Sequence, residues 1–348
     1  MKAVILGATG YTGMVLMRIL ADHPQIDSIV PVSHSKAGTP VVDVDPGLGP
    51  AIAAKLTACG GRLVAIDDAA PDAADVVFSA LPHGASADIA GPLAGRVPII
   101  DLSADFRLAD PSLYQTVYGA PHPHPDLLSR SVYGLTEWYR RDIATADIIA
   151  NPGCYPTATL LPLLPFVDVV RFPVIVNALS GISGAGRKET RDLLFNERSE
   201  NMNAYNPGRT HRHVPEIEQA LSCRAGAPQT VSLVFTPHLV PIKQGMIVTT
   251  VAELSRPMSQ QEASDRIAAA YAEEPFVRVS ARGTPESRDV RSTNRCDIGV
   301  KVLESDGRLM LFSAIDNLYK GAAGQAVQNM NARLGIPETA GLRIHGEF

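Results

Sequence analysis

The stretch KAVILGATGYTGMVLMRILADHP, residues 2–24, decides the first half of the fold. Residues 2–6 form a short apolar run closed by Gly7, the pattern of a strand buried on both faces. Val15, Leu16, Ile19 and Leu20 then recur at helical spacing, and Pro24 stops the helix. Between strand and helix, Gly7, Gly10 and Gly13 make a GxxGxxG turn. Such a turn also serves plain strand–helix packing. Its place at the first strand–helix junction predicts a dinucleotide, with the pyrophosphate on the positive end of the helix.

The same alternation continues downstream. SIVPVS (28–33), ADVVFSALPHG (74–84) and VPIIDLSAD (97–105) read as further strands separated by helical segments. This predicts an α/β fold with a doubly wound parallel sheet, a Rossmann domain over about residues 1–150. NAD enzymes place a carboxylate at the end of the second strand to hold the ribose 2′-hydroxyl. Ser33, Ser35 and Lys36 stand there instead, and hydroxyls with a cation suit a 2′-phosphate, so the expected cofactor is NADP(H).

The pattern changes after residue 150. YPTATLLPLL (155–164) reads as a helix starting near Pro156. VIVNALSG (174–181), TVSLVFTPHLV (230–240), GMIVTTVAEL (245–254), VRVSA (277–281), CDIGVKVLE (296–304) and RLMLFSAI (308–315) read as strands of a second, mixed sheet. A helix is expected over 259–274. YKGAAGQAVQNMNARLG (319–335) predicts a last helix ending at Gly335 and returning to the first domain. The expected division is therefore 1–150 and 151–317, with 318–335 joining the former.

Composition narrows the function. The chain has 348 residues, 45% apolar and 19% charged, with a net charge of −5 and no long Lys/Arg run. That argues for a globular protein without nucleic-acid or membrane partners. The longest apolar region, 158–179, is broken by Pro162, Pro165, Asp168, Arg171 and Pro173, so it cannot form an uninterrupted spanning helix. The first residues fit a strand better than a secretory signal. Cys59, Cys154, Cys223 and Cys296 form no CxxC pair, which predicts a reduced, cytoplasmic protein. His122 and His124 in APHPHPD lack a third ligand nearby, and no metal is expected.

Among the cysteines, Cys154 stands apart. In ANPGCYPTAT (150–159) it sits in a constrained turn at a helix start, where backbone N–H groups lower a thiol pKa. The other three read as small core residues. THRHVPEIEQ (210–219) offers His211 and His213 as bases, with Glu216 three residues on, although sequence spacing leaves their distance to Cys154 open. SGISGAGRKE (180–189) reads either as a phosphate nest with Arg187 and Lys188 or as a surface loop. Arg107 in DFRL is a candidate bidentate donor to a carboxylate or phosphate.

GATGYTG, LPHG, DLSADFRL, YGL, NPGCYPTA, SGISGAGR, HRHVPEIEQ and IDNLYKGAAGQAVQNMN stand in the order seen in the N-acetyl-γ-glutamyl-phosphate reductase family, which the chain resembles over nearly its whole length. It resembles aspartate-semialdehyde dehydrogenases more distantly. The resemblance implies a glyceraldehyde-phosphate dehydrogenase-like α+β catalytic domain beside the Rossmann domain. It implies NADPH-dependent reduction of a small acyl phosphate through a cysteine thioester, in a homodimer or homotetramer. It puts the nucleophile on Cys154 and the acid/base on His211. Arg107, Ser180, Gly181, Tyr205, His213 and Glu216 fall on the substrate side. Gly7, Thr9, Gly10, Tyr11, Thr12, Gly13, Ser33, Ser35, Lys36, Ser183 and Gly184 fall on the cofactor side, with Asn317 near the nicotinamide. The chain departs from the family at YGLTEW, where Thr136 and Trp138 are unusual, and over 50–70. A sister reductase acting on the aminoadipate analogue is the alternative, since one methylene changes pocket fit by only about 1–3 kcal/mol.

Overall fold

The computed structural model describes residues 1–187, 189–224 and 231–346. The chain divides into two compact units. Met1–Pro152 with Ala322–Leu342 make the first, and Gly153–Gly321 with the residues from Arg343 onward make the second.

The first unit carries a six-stranded sheet of β1 (Lys2–Leu6), β2 (Ser28–Val32), β3 (Val76–Ser79), β4 (Ile99–Asp101), β5 (Ser131–Tyr133) and β6 (Ile148–Ala150). Every pairing is parallel, and the order is β2-β1-β3-β4-β6-β5. β2 lies on one side of β1 and β3 on the other, so the strand order reverses at β1. The crevice beyond the carboxyl end of such a reversal is where ligands bind in doubly wound sheets. Ala3, Val4, Ile5 and Leu6 are all buried, as a strand covered on both faces requires. The helix Tyr11–Ala21 buries Leu16, Met17, Ile19 and Leu20, while Val15 is only half-buried. The sequence reading missed β5 and β6, three residues each, while it caught the equally short β4 and, in the second unit, the strand Val277–Val279.

The helix Gly324–Arg333 belongs to this unit, with Gln325, Gln328, Asn329 and Asn331 all buried. Buried amides are expected to be bonded, and the NH2 group of each of the four donates, while Gln325 Oε1 finds no partner among the described residues. Asn329 Nδ2 donates to the Gly134 carbonyl and to Asn151 Oδ1. Thr136 Oγ1 donates to Asn329 Oδ1 (2.7 Å), and Gln325 Nε2 donates to Thr136 Oγ1 (2.7 Å). Gln328 Nε2 donates to Glu137 Oε1 (3.1 Å). The unusual YGLTEW segment is thus the polar counterpart of this helix.

The second unit is built on β7 (Val170–Gly181), β8 (Asn203–Ala204), β9 (Leu233–Val240), β10 (Met246–Leu254), β11 (Val277–Val279), β12 (Cys296–Leu303) and β13 (Arg308–Ile315). Their order is β11-β12-β13-β10-β7-β9-β8. β7–β9 and β11–β12 are parallel and the rest antiparallel, a mixed sheet. The helix between β10 and β11 runs Gln260–Ala270, shorter than the expected 259–274, with Tyr271 as its C-cap.

One face of the sheet is covered. The helix Cys154–Leu163 is buried from Tyr155 to Leu163, and Ser313 of β13 donates to its Ala158 carbonyl (2.6 Å). A helix apolar all round belongs in a core. The other face is open: along β7 buried Val174, Val176 and Ala178 alternate with Ile175 and Leu179, 43% and 40% exposed. No helix among the described residues is long and apolar enough to cross a membrane.

Candidate active site

Cys154 is the first residue of its helix, behind the N-cap Gly153, with no acidic residue in the first turn. The positive end of the helix macrodipole therefore falls on the thiol. Two neighbours fix this turn. The Gly153 N–H donates to Glu216 Oε1 (2.9 Å), a carboxylate that is itself buried. A Cβ added to Gly321 would lie 2.7 Å from Cys154 Cβ, so glycine is required there for Cys154 to occupy its place.

His211 lies within the same cluster, 9% exposed. Its ring packs edge-on against Tyr155, the residue after Cys154 (centroids 5.4 Å), and against Phe235 (5.1 Å) and Tyr205 (5.7 Å). The His213 ring is 4.9 Å away. The His213 main-chain N–H donates to His211 Nδ1 (3.2 Å), which places the proton of the neutral ring on Nε2. Burial, with the Arg212 charge second, pushes His211 down to about 4. The ring is thus neutral at neutral pH and offers a donor at Nε2.

Tyr155 and Tyr205 share a hydrogen bond between their hydroxyls (2.7 Å), and Ser180 bonds the Tyr155 hydroxyl as well. Burial, reinforced by the Cys154 charge, pushes Tyr205 up to about 12 and Tyr155 further. Both hydroxyls stay protonated and serve as donors. Cys154, His211, Tyr205, Ser180, His213 and Glu216 are thereby gathered in one cluster. The sequence reading missed Tyr155, Phe235 and Gly321. Only the proximity of Tyr155 to Cys154 was available as a signal; the other two are remote in the chain.

A second group adjoins Ser180. Asn317 accepts the Gly245 N–H (2.7 Å) and donates to Ser183 Oγ (3.0 Å), while Gly184 lies against Ser180 Oγ. Gly181 is needed because a Cβ there would meet Gln244 Cα at 2.8 Å. Ser183, Gly184 and Asn317 thus belong to the second unit. Lys188 of the same segment lies outside the described residues.

In the first unit the glycine turn separates into roles. A Cβ on Gly7, at φ +82°, would meet Ala80 O at 2.5 Å, and one on Gly13 would meet Gly7 O at 2.5 Å. Packing alone demands glycine at both. At Gly10 the nearest atom would be 3.8 Å away, so the protein itself leaves that space open. Gly10 is the N-cap of the Tyr11–Ala21 helix and gives no side-chain cap, and no acid stands in the first turn. A pyrophosphate fits such an open, positive helix start, and Thr9, Tyr11 and Thr12 flank it. After β2, Ser33 is buried while Ser35 and Lys36 are exposed, with no carboxylate among residues 33–38. Arg107, the expected anion donor, is buried, with Nε on the Asn151 carbonyl (2.9 Å) and Nη2 on the Leu102 carbonyl (3.0 Å).

Comparison with known proteins defines first a class. Residues 2–146 match the semialdehyde dehydrogenase NAD binding domain, and residues 154–317 match the semialdehyde dehydrogenase dimerisation domain. Aspartate semialdehyde dehydrogenase II from Vibrio cholerae shares this fold with a TM-score of 0.71 at 18% identity, over 96% of this chain and 98% of that one. Sequence relatives are more specific. The N-acetyl-gamma-glutamyl-phosphate reductase of Citrifermentans bemidjiense is 44% identical over 99% of this chain and 98% of its own. That of Symbiobacterium thermophilum is 45% identical over 97% and 96%. The chain belongs to the N-acetyl-gamma-glutamyl-phosphate reductase family.

Proposed function

We propose that this chain reduces N-acetyl-γ-glutamyl phosphate to N-acetylglutamate 5-semialdehyde with NADPH, releasing phosphate, as a step of arginine biosynthesis. The observation that carries the reading is the cluster around Cys154 in a member of this reductase family: a cysteine opening a helix whose N-cap N–H is held by Glu216, followed by Tyr155, which packs on the His211 ring.

The Cys154 thiolate attacks the acyl carbon, the C–O bond to phosphate breaks, and a thioester forms. Bound NADPH supplies the hydride that brings this thioester to the aldehyde level. The thiohemiacetal oxyanion on Cys154 then collapses, expelling the thiolate and releasing the aldehyde. His211 donates from Nε2 toward that oxyanion, and its neutrality suits a donor that returns unchanged after collapse. Tyr205 and Ser180 hold the substrate side. Gly10, Thr12 and the first-turn N–H groups hold the pyrophosphate, and Ser35 with Lys36 hold the 2′-phosphate. The open face of β7 and β9, with Ile175, Leu179 and Val234, is the surface on which two copies pair.

The assay runs in the oxidative direction: phosphate-dependent NADP reduction with N-acetylglutamate semialdehyde, beside its aminoadipate homologue, and with NAD replacing NADP. Cys154→Ser abolishes turnover while NADP still binds. Near-wild-type turnover in that variant sinks the nucleophile assignment, and preference for the longer semialdehyde moves the enzyme to the sister reaction.

A further inference from the structure

Arg278 of β11, the loop joining β11 to β12, and His345 with Gly346 line an open cavity of about 780 Å³ in the second unit. Five arginines line it, Arg278, Arg282, Arg288, Arg291 and Arg295, against one lining carboxylate, Asp289. None of these residues belongs to the cluster around Cys154.

The cavity has a rigid base. Arg295 is nearly buried, with Nε on Asp297 Oδ1 (2.7 Å), Nη1 on the Ile344 carbonyl (3.0 Å) and Nη2 on the Asp289 carbonyl (2.6 Å). Arg278 pairs with the same Asp297. The loop above is pinned at two further points. The Ser292 N–H donates to Asp316 Oδ2 (2.7 Å), and the Asn294 N–H donates to the Arg343 carbonyl (2.9 Å).

The charges do not balance. Arg282 reaches Glu286, and Arg288 reaches Glu286 and Asp289, both on exposed side chains. Arg291 has no carboxylate partner among the described residues. Among the described residues, five guanidiniums therefore share Asp297, Glu286 and Asp289, an excess of two positive charges inside a chain whose net charge is −5. Gathering like charges in one concavity costs self-repulsion that a bound anion relieves. Guanidinium forks match phosphate and carboxylate in bidentate fashion. The volume falls within the roughly 300–1,000 Å³ of small-molecule sites, larger than a lone phosphate needs.

We propose that this cavity binds a small molecule bearing several oxyanion charges, phosphate or carboxylate, separately from the acyl-phosphate substrate. The test is calorimetric titration of the full-length enzyme with tripolyphosphate and with citrate, the cofactor site being filled with NADP. The tighter probe identifies the oxyanion source. Arg282→Ala combined with Arg291→Ala weakens the tighter probe about tenfold or more, while turnover and melting temperature stay at wild-type values. Arg291→Lys, which keeps the charge and loses the fork, weakens it less. Absence of saturable binding of both probes to the wild type overturns the proposal. So does binding that the double variant leaves unchanged, because the anion then sits elsewhere. A double variant that changes oligomeric mass without changing probe affinity overturns it as well, since a second copy then covers the cavity.

Discussion

Gly321→Ala tests whether the placement of Cys154, rather than its presence alone, sustains the reaction. Gly321 does not have a left-handed φ, so alanine is tolerated by the backbone and the effect is purely steric. The new methyl would stand 2.7 Å from Cys154 Cβ and 3.3 Å from both Cys154 Cα and Ile315 Cδ1. Carbon atoms in contact prefer about 3.5–4.0 Å, so Cys154 and residue 321 must part by about 1 Å. The end of Ile315 can swing aside. Cys154 cannot move freely, because Gly153 is tied to Glu216 and the helix that follows is buried. Overpacking of this kind costs about 1–3 kcal/mol of stability. A misplacement of about 1 Å at a reacting group costs about a hundredfold in rate. The expected result is a fall of that size in kcat with the affinity for NADPH unchanged. Alkylation of Cys154 by iodoacetamide, followed by peptide mass mapping, should slow in the same variant. Wild-type turnover and wild-type alkylation in a protein that melts at the wild-type temperature would refute the steric argument.

Two further outcomes follow from the same geometry. His211 titrates near 4 in the folded enzyme against about 6.5 when unfolded, so between those values the unfolded chain binds more protons and stability falls as pH drops. His211→Asn removes this slope, worth at most about 3 kcal/mol; melting curves of wild type and variant that stay parallel from pH 7 to pH 4 would contradict the assignment. Leu179→Asp places a charge on the open face of β7 and should weaken self-association about a hundredfold in sedimentation equilibrium; an unchanged mass at every concentration removes that face from the interface.

The two halves of the molecule differ in how readable they were. A buried parallel strand and an amphipathic helix announce themselves within some twenty residues, and KAVILGATGYTG did so. β5 and β6 went unread, although β4 and β11, equally short, were read. The burial of the last helix's amides could not be read, since nothing local reveals that Thr136 and Gly134 will bond them. Arg107 was picked out by residue type alone; that two carbonyls orient its guanidinium is a fact of the fold.

Cys154 itself was legible. Glycine before it and a helix after it are local facts, and they place the sulfur at the positive end of a helix dipole whatever the rest of the chain does. The glycine turn was legible in the same way, down to the spacing that leaves Gly10 open. The state of His211 was not. Its neutrality comes from Tyr155, Tyr205 and Phe235 closing around it, and its tautomer from the single N–H of His213. Those rings arrive from three separate segments of the chain. Local sequence determined which atoms are chemically able to react, because backbone geometry acts over a few residues. The tertiary structure decided their charge and their aim, because desolvation and steric contact depend on whatever remote residues the fold brings against them.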